Sequence, residues 1–161
     1  MPLIDTPFSK DTENLFVISN KVLTDTELRC LICKTKYTLK NMRIHIAKHI
    51  ITNQCVRNCC GFCGVACGSI LELKKSSGSG KNTNFKPYSN CTRFYGFSLA
   101  PAEKEGSACS NRPVICKLCR NCFWSYNMRS HYDDYHKGAQ FDQDFIIPEK
   151  EIKNLKNNKK F

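Results

Sequence analysis

The chain has 161 residues, a formal net charge of +11 and twelve cysteines. With the cysteines set aside, the apolar residues come in short bursts, which excludes one large core and favours several small, stapled modules. No stretch approaches the ~18 apolar residues of a membrane span, while the basic balance fits a nucleic-acid partner or, more plainly, a well-solvated surface.

In chain order, residues 1–28 form an N-terminal segment with one strand expected near Leu15–Ser19. Its opening, MPLIDTPFSKDTENLFVISNKVL, lacks the basic start, apolar run and small-residue cleavage site of an export signal. An intracellular, reducing location is therefore expected, where Cys-x-x-Cys pairs with spaced histidines point to metal rather than disulfides.

Residues 29–51 carry CLICKTKYTLKNMRIHIAKH, and residues 113–137 carry CKLCRNCFWSYNMRSHYDDYH. Each places two cysteines on a tight turn; the two histidines stand at i and i+4, on one helix face, in the first copy, and one residue further apart, within the range such a site tolerates, in the second. Cys30, Cys33, His45 and His49 form one candidate zinc set, and Cys116, Cys119, His131 and His136 the other. Tyr37 and Met42, matched by Phe123 and Met128, supply an apolar plug beneath the metal. Both copies resemble the Cys2His2 zinc finger, a ββα unit that owes its folding to about 10–16 kcal/mol of zinc binding.

The finger's base-reading helix positions, −1, 3 and 6, fall on Thr38, Asn41 and Ile44 in the first copy and on Trp124, Asn127 and Ser130 in the second. Asn41 and Asn127 are able to pair with adenine, but no arginine is placed to grip guanine. Arg43, Lys48 and Arg129 are candidate phosphate contacts, or simply solvated helix faces. The 66 residues between His49 and Cys116 leave no short linker for tandem reading.

Residues 55–112 form a central cysteine-rich module, opened by CVRNCCGFCGVAC. Strands are expected at Ser69–Lys74 and Thr92–Leu99, with a flexible loop over 75–87 and a second loop at APAEKEGSA. Cys60 and Cys63 make the best knuckle, and Cys91 and Cys109, at the ends of the strand segments, complete a four-cysteine set. Cys67 or Cys59 is an alternative for one of these, a two-metal cluster is another, and Cys122 reads as a free thiol. The expected cofactor is Zn2+, two ions in the outer sets and a third in the centre. Such a third site carries −2, which leaves a net charge of about +9. The basic tail over 138–161 has a short helix near Glu149–Leu155.

The strings MRIHIAKHII, CGFCGVACG, SNC, ACSNRPVICKLC and WSYNMRSHYDDYH occur in an order that resembles a group of uncharacterised fungal zinc-finger proteins. The resemblance spans about residues 29–136. It implies zinc at the two outer sets and a metal role for the central cysteines, and implies no activity.

The sequence thus predicts a small α+β protein with two ββα-like fingers flanking a zinc-ribbon-like β module. Zinc-dependent nucleic-acid binding, in the nucleus, is the leading function, and a zinc-scaffolded protein–protein adaptor is the alternative. No membrane contact is expected. Neither is an enzyme, because every histidine is assigned to metal and the His-x-Glu and His-Glu-x-x-His signatures of zinc enzymes do not occur.

Overall fold

The computed structural model describes residues 26–76 and 84–160. The strand expected at Leu15–Ser19 lies outside the described residues, as does most of the expected loop over 75–87. Among the described residues the fold is small and α+β, built from three two-stranded antiparallel sheets and short helices.

The first hairpin pairs β1 (Glu27–Arg29) with β2 (Lys36–Thr38) and leads into helix α1 (Leu39–Ile51). Thr38, in extended conformation, precedes that helix without a side-chain capping bond. α1 turns Met42, Ile46 and the two histidines inward, against Leu28, Ile32 and Tyr37. The second repeat has the same plan. β5 (Pro113–Ile115) pairs with β6 (Cys122–Trp124), and a 3-10 turn (Ser125–Asn127) runs into a further helix beginning at Met128.

Between them lies a third hairpin of β3 (Leu71–Lys75) and β4 (Phe85–Ser89). β3 fulfils the expected strand with a small shift, whereas β4 begins within residues read as loop, at Phe85–Pro87. The segment expected as a strand at Thr92–Leu99 is irregular. Its aromatics explain why: Phe94, Tyr95 and Phe97 all meet the ring of Phe62, with centroids 5.3, 6.0 and 6.2 Å away. Strand alternation would send Phe94 and Tyr95 to opposite faces. Gathering both around one fully buried phenylalanine outweighs the strand hydrogen bonds, since burying such a ring contributes about 1.5–3 kcal/mol. The stretch APAEKEGSA, read as loop, opens within the single-turn helix α2 (Leu99–Glu103), which buries Leu99 and Ala102.

The helix after the second hairpin, α3 (Met128–Tyr135), packs Met128 and Tyr132 onto Val114, Phe141 and Phe145. The tail ends in α4 (Glu149–Asn157), at the place expected for a helix. α4 docks on α1, burying Leu155 with Ala47 and Tyr126, and Lys48 Nζ donates to the Asn158 carbonyl at 2.8 Å. Among the described residues four small apolar clusters result rather than one core. No described helix is long and apolar enough to cross a membrane.

The central knuckle, residues 60–64, sits against both repeats. A Cβ at Gly61 would stand 2.4 Å from the Trp124 ring, and one at Gly64 would stand 2.7 Å from Ile32 Cδ1 and 2.9 Å from Ile46 Cδ1. Gly64 also has φ +77°, which a side chain disfavours. We expect Gly61→Ala to destabilise the metal-loaded protein by roughly 1–3 kcal/mol through overpacking. Denaturant unfolding measures this, and an unchanged midpoint would show that the contact with Trp124 is looser than described.

Candidate metal centres

Three groups of four side chains each bring their ligand atoms within 4.8 Å of one another: Cys30, Cys33, His45 and His49; Cys60, Cys63, Cys67 and Cys91; and Cys116, Cys119, His131 and His136. All three are positioned to hold a metal ion.

Each is founded on the same turn. The amides of Cys30, Cys60 and Cys116 donate to the carbonyls of Thr35, Val65 and Asn121 at 2.8, 3.0 and 2.9 Å. In the reverse direction Lys34, Gly64 and Arg120 donate to the first cysteine's carbonyl at 3.0, 2.8 and 2.9 Å. Those three residues have φ of 65°, 77° and 64°. The left-handed residue closes the turn so that both cysteines face one point. The amides of Ile32 and Phe62 each lie 3.4 Å from the sulfur of Cys30 and Cys60, a contact that favours thiolate.

In the first set His45 Nε2 lies 3.2 Å from Cys33 Sγ and 3.0 Å from His49 Nε2. In the other outer set His131 Nε2 lies 3.5 Å from Cys119 Sγ and 3.1 Å from His136 Nε2, which lies 3.5 Å from Cys116 Sγ. Zinc bonds of about 2.0 Å to nitrogen and 2.3 Å to sulfur imply tetrahedral edges of about 3.3 Å between nitrogens and 3.6 Å between nitrogen and sulfur. The observed separations are close to these, so the donor sets fit zinc. His49 Nδ1 pairs with Gln54 Oε1, which leaves Nε2 free to face the metal. Tyr37 stacks on His45 and Phe123 on His131, with centroids 3.9 and 3.8 Å apart, so the apolar plug also holds a ligand ring in place.

The electrostatics point the same way. Burial opposes ionising Cys30, but hydrogen bonds with His45 and His49 outweigh it and hold the thiol down at about 5. In the central set, hydrogen bonds from Cys63 and Cys91 favour the Cys60 thiolate, and the same contacts push Cys63 and Cys91 up. Several thiols thus crowd one negative charge, and a divalent cation would let all of them ionise.

The expected assignment of Cys109 is corrected here, because it lies outside the central group and Cys67 stands in its place. Cys67 is four residues from Cys63, and its sulfur lies 3.0 Å from the Ser69 hydroxyl, which also reaches Cys60. Cys109 is instead 2% exposed, and burial pushes its thiol up. Its neighbours are Arg43, at 3.5 Å from the sulfur, and Tyr126. Cys55 and Cys59 hydrogen-bond to each other outside the three groups. Burial pushes Cys122, also outside them, up to about 11.

Two of the expected nucleic-acid contacts are also corrected. Arg43 is 8% exposed, donates to the carbonyls of Asn111 and Cys109, and lies 4.3 Å over the Phe97 ring. Asn127 is 7% exposed and donates to the Cys59 carbonyl at 2.7 Å. Both are occupied in holding the repeats to the central module. Lys48 reaches α4, Asn41 is half-buried, and Arg129 is exposed and stacked on Phe141. The sequence did not disclose these packing roles, since a helix face looks solvated until its neighbour is known.

Compared with known protein families, curated proteins and solved structures, the chain finds no significant match.

Substituting the two competing cysteines separates the assignments. Cys67→Ser is expected to lower the metal-to-chain ratio by one, while Cys109→Ser leaves it unchanged and lowers stability by roughly 1–3 kcal/mol through its buried polar neighbours. Native mass spectrometry and denaturant unfolding read the two effects, and metal loss in Cys109→Ser alone would reverse the assignment.

Proposed function

We propose that the chain is a zinc-binding protein in which two Cys2His2 fingers clasp a four-cysteine zinc site, and that it binds nucleic acid through its basic surface. The observation that carries the zinc reading is the convergence of three four-donor sets on one knuckle geometry. Each set supplies four protein ligands, which leaves a tetrahedral ion no open position for substrate. The role is therefore structural at the metal, and binding rather than catalysis is the function. Thiolate ligands require a reducing setting, in keeping with work inside the cell and at chromatin or RNA in the nucleus.

Nucleic acid is favoured by the charge of +11, of which a four-cysteine zinc removes only 2. Binding of this kind is to the phosphate backbone rather than to base edges. Trp124 and Asn127 are buried and Ile44 packs against the cluster around Ala47. Three of the six base-reading positions are thus turned to internal use. That same burial supports a second reading, a protein–protein adaptor in which the fingers serve as scaffold.

Two measurements test the proposal in sequence. Elemental analysis of protein purified under reducing conditions is expected to give three zinc ions per chain, and a chelator is expected to unfold it. Affinity for labelled DNA and RNA oligonucleotides is then expected to fall steeply and log-linearly with salt. Binding that ignores salt, or none at all beside a retained protein partner, would favour the adaptor.

A further inference from the structure

The two repeats share an architecture but differ in how their positive charge is spent. In the second, Lys117 on the knuckle is held by Asp142 at 2.6 Å and Asp144 at 3.1 Å. On its helix, Asp134 takes a two-pronged contact from Arg57 at 2.9 and 3.0 Å and a further bond from Asn58. Its neighbour Asp133 lies 3.8 Å from the same guanidinium. Carboxylates on this repeat and just after it thus pair with Arg57 and Lys117.

The first repeat lacks such carboxylates. Arg29 and Lys36 are directly opposite each other in the β1–β2 ladder, both exposed. Like charges so placed repel and destabilise a hairpin. Arg29 donates to the Lys34 carbonyl at 3.4 Å, Lys34 Nζ donates to the Leu31 carbonyl at 2.7 Å, and Arg93 donates to the Arg29 carbonyl at 2.6 Å. Of the four cations gathered at this hairpin, Arg29, Lys34 and Arg93 thus turn to backbone oxygens. Among the described residues none of the four forms an ion pair. Glu27, opposite Thr38, is the acidic residue on this face and offsets part of the charge. Helix α1, which starts beside it, has no acidic residue in its first turn, so its positive end adds to the field. Another like-charged pair among the described strands, Lys74 opposite Lys86, is not equivalent. Lys74 has Glu72 at 3.7 Å and lies 3.3 Å over the Tyr88 ring.

We propose that the outer face of the β1–β2 hairpin, with Arg29, Lys34, Lys36 and Arg93, is the surface on which a nucleic-acid phosphate backbone lies. The inference rests on the nucleic-acid reading above and moves the contact from the finger helices to the strands. Guanidinium and ammonium groups held this close suit successive phosphates, whose charge relieves the crowding between Arg29 and Lys36. Backbone contacts carry no sequence information, so the surface accommodates DNA and RNA of any sequence.

The test compares two charge-matched variants of the full, zinc-loaded chain, read by anisotropy of fluorescein-labelled DNA and RNA oligonucleotides. Arg29→Glu with Lys36→Glu is expected to weaken binding at least about tenfold and to flatten the slope of log K against log salt by about 1.4–1.8, the loss of two phosphate contacts. Lys150→Glu with Lys156→Glu, both exposed on or beside α4, changes net charge equally and is expected to leave that slope nearly intact. Equal weakening in both variants would overturn the assigned surface while leaving nucleic-acid binding standing. No salt-dependent binding by the unmodified chain would overturn the nucleic-acid reading itself. Lys36→Gln guards against a folding artefact. It is expected to raise the thermal midpoint slightly by removing repulsion and to weaken binding, whereas a structural lysine would lose both together.

Discussion

Everything else in this fold leans on the absence of side chains at two positions of the central knuckle. Gly61 and Gly64 let the turn that carries Cys60 and Cys63 press on Trp124 of one repeat and on Ile32 and Ile46 of the other. With Phe62 projecting into the cluster between them, a five-residue loop acts as the common wall of two modules. A loop is ordinarily too weak to do this, because its ordering entropy is not repaid by regular hydrogen bonds. Four converging thiolates around a cation would supply the missing stabilisation, so the metal chemistry and the packing depend on the same short stretch.

Around that wall the repeats are fastened by polar groups that pack as well as pair. Arg43 reaches the carbonyls of residues 109 and 111 with its ring-facing side on Phe97, and Tyr126 donates to Glu151 of α4. Glu151 also accepts from the Ser110 amide. Groups from α1, the loop before β5, the second repeat and the tail thus meet in one buried network. Buried polarity of this kind is costly unless fully satisfied, and Arg43 Nε and Asn111 Nδ2 find no partner here, a cost offset by the apolar surface the modules share around Ala47, Cys109, Tyr126 and Leu155.

Much of the plan was legible in the sequence, and what was not has a physical cause. Both outer ligand sets could be read because paired cysteines and histidines four or five residues apart report local geometry directly. The Glu149–Asn157 helix carries its apolar residues, Ile152 and Leu155, at helical spacing. Cys67 and Cys109 could not be ranked, because the choice depends on where a chain segment of some forty residues returns. The clue that did exist was local: Cys67 follows Cys63 closely, and Ser69 is at hand to order it. Arg43 and Asn127 misled for a related reason. Polar residues on a small helix look exposed unless another module is known to cover them.

The burial of Arg43 and Asn127 also bears on how such a protein can change over time. Tandem fingers of independent fold can be duplicated, deleted or exchanged, since each carries its own core and its own contacts. Here the outward residues of each repeat are already engaged with a neighbour, at Asn111 and Cys59 respectively. A repeat lifted out would leave a guanidinium and an amide with no partner, and a repeat inserted would find no matching carbonyl. The trio is consequently one heritable unit despite its repeated grammar. Variation is cheapest where the modules do not meet, on the strands and knuckle tips that face away from one another.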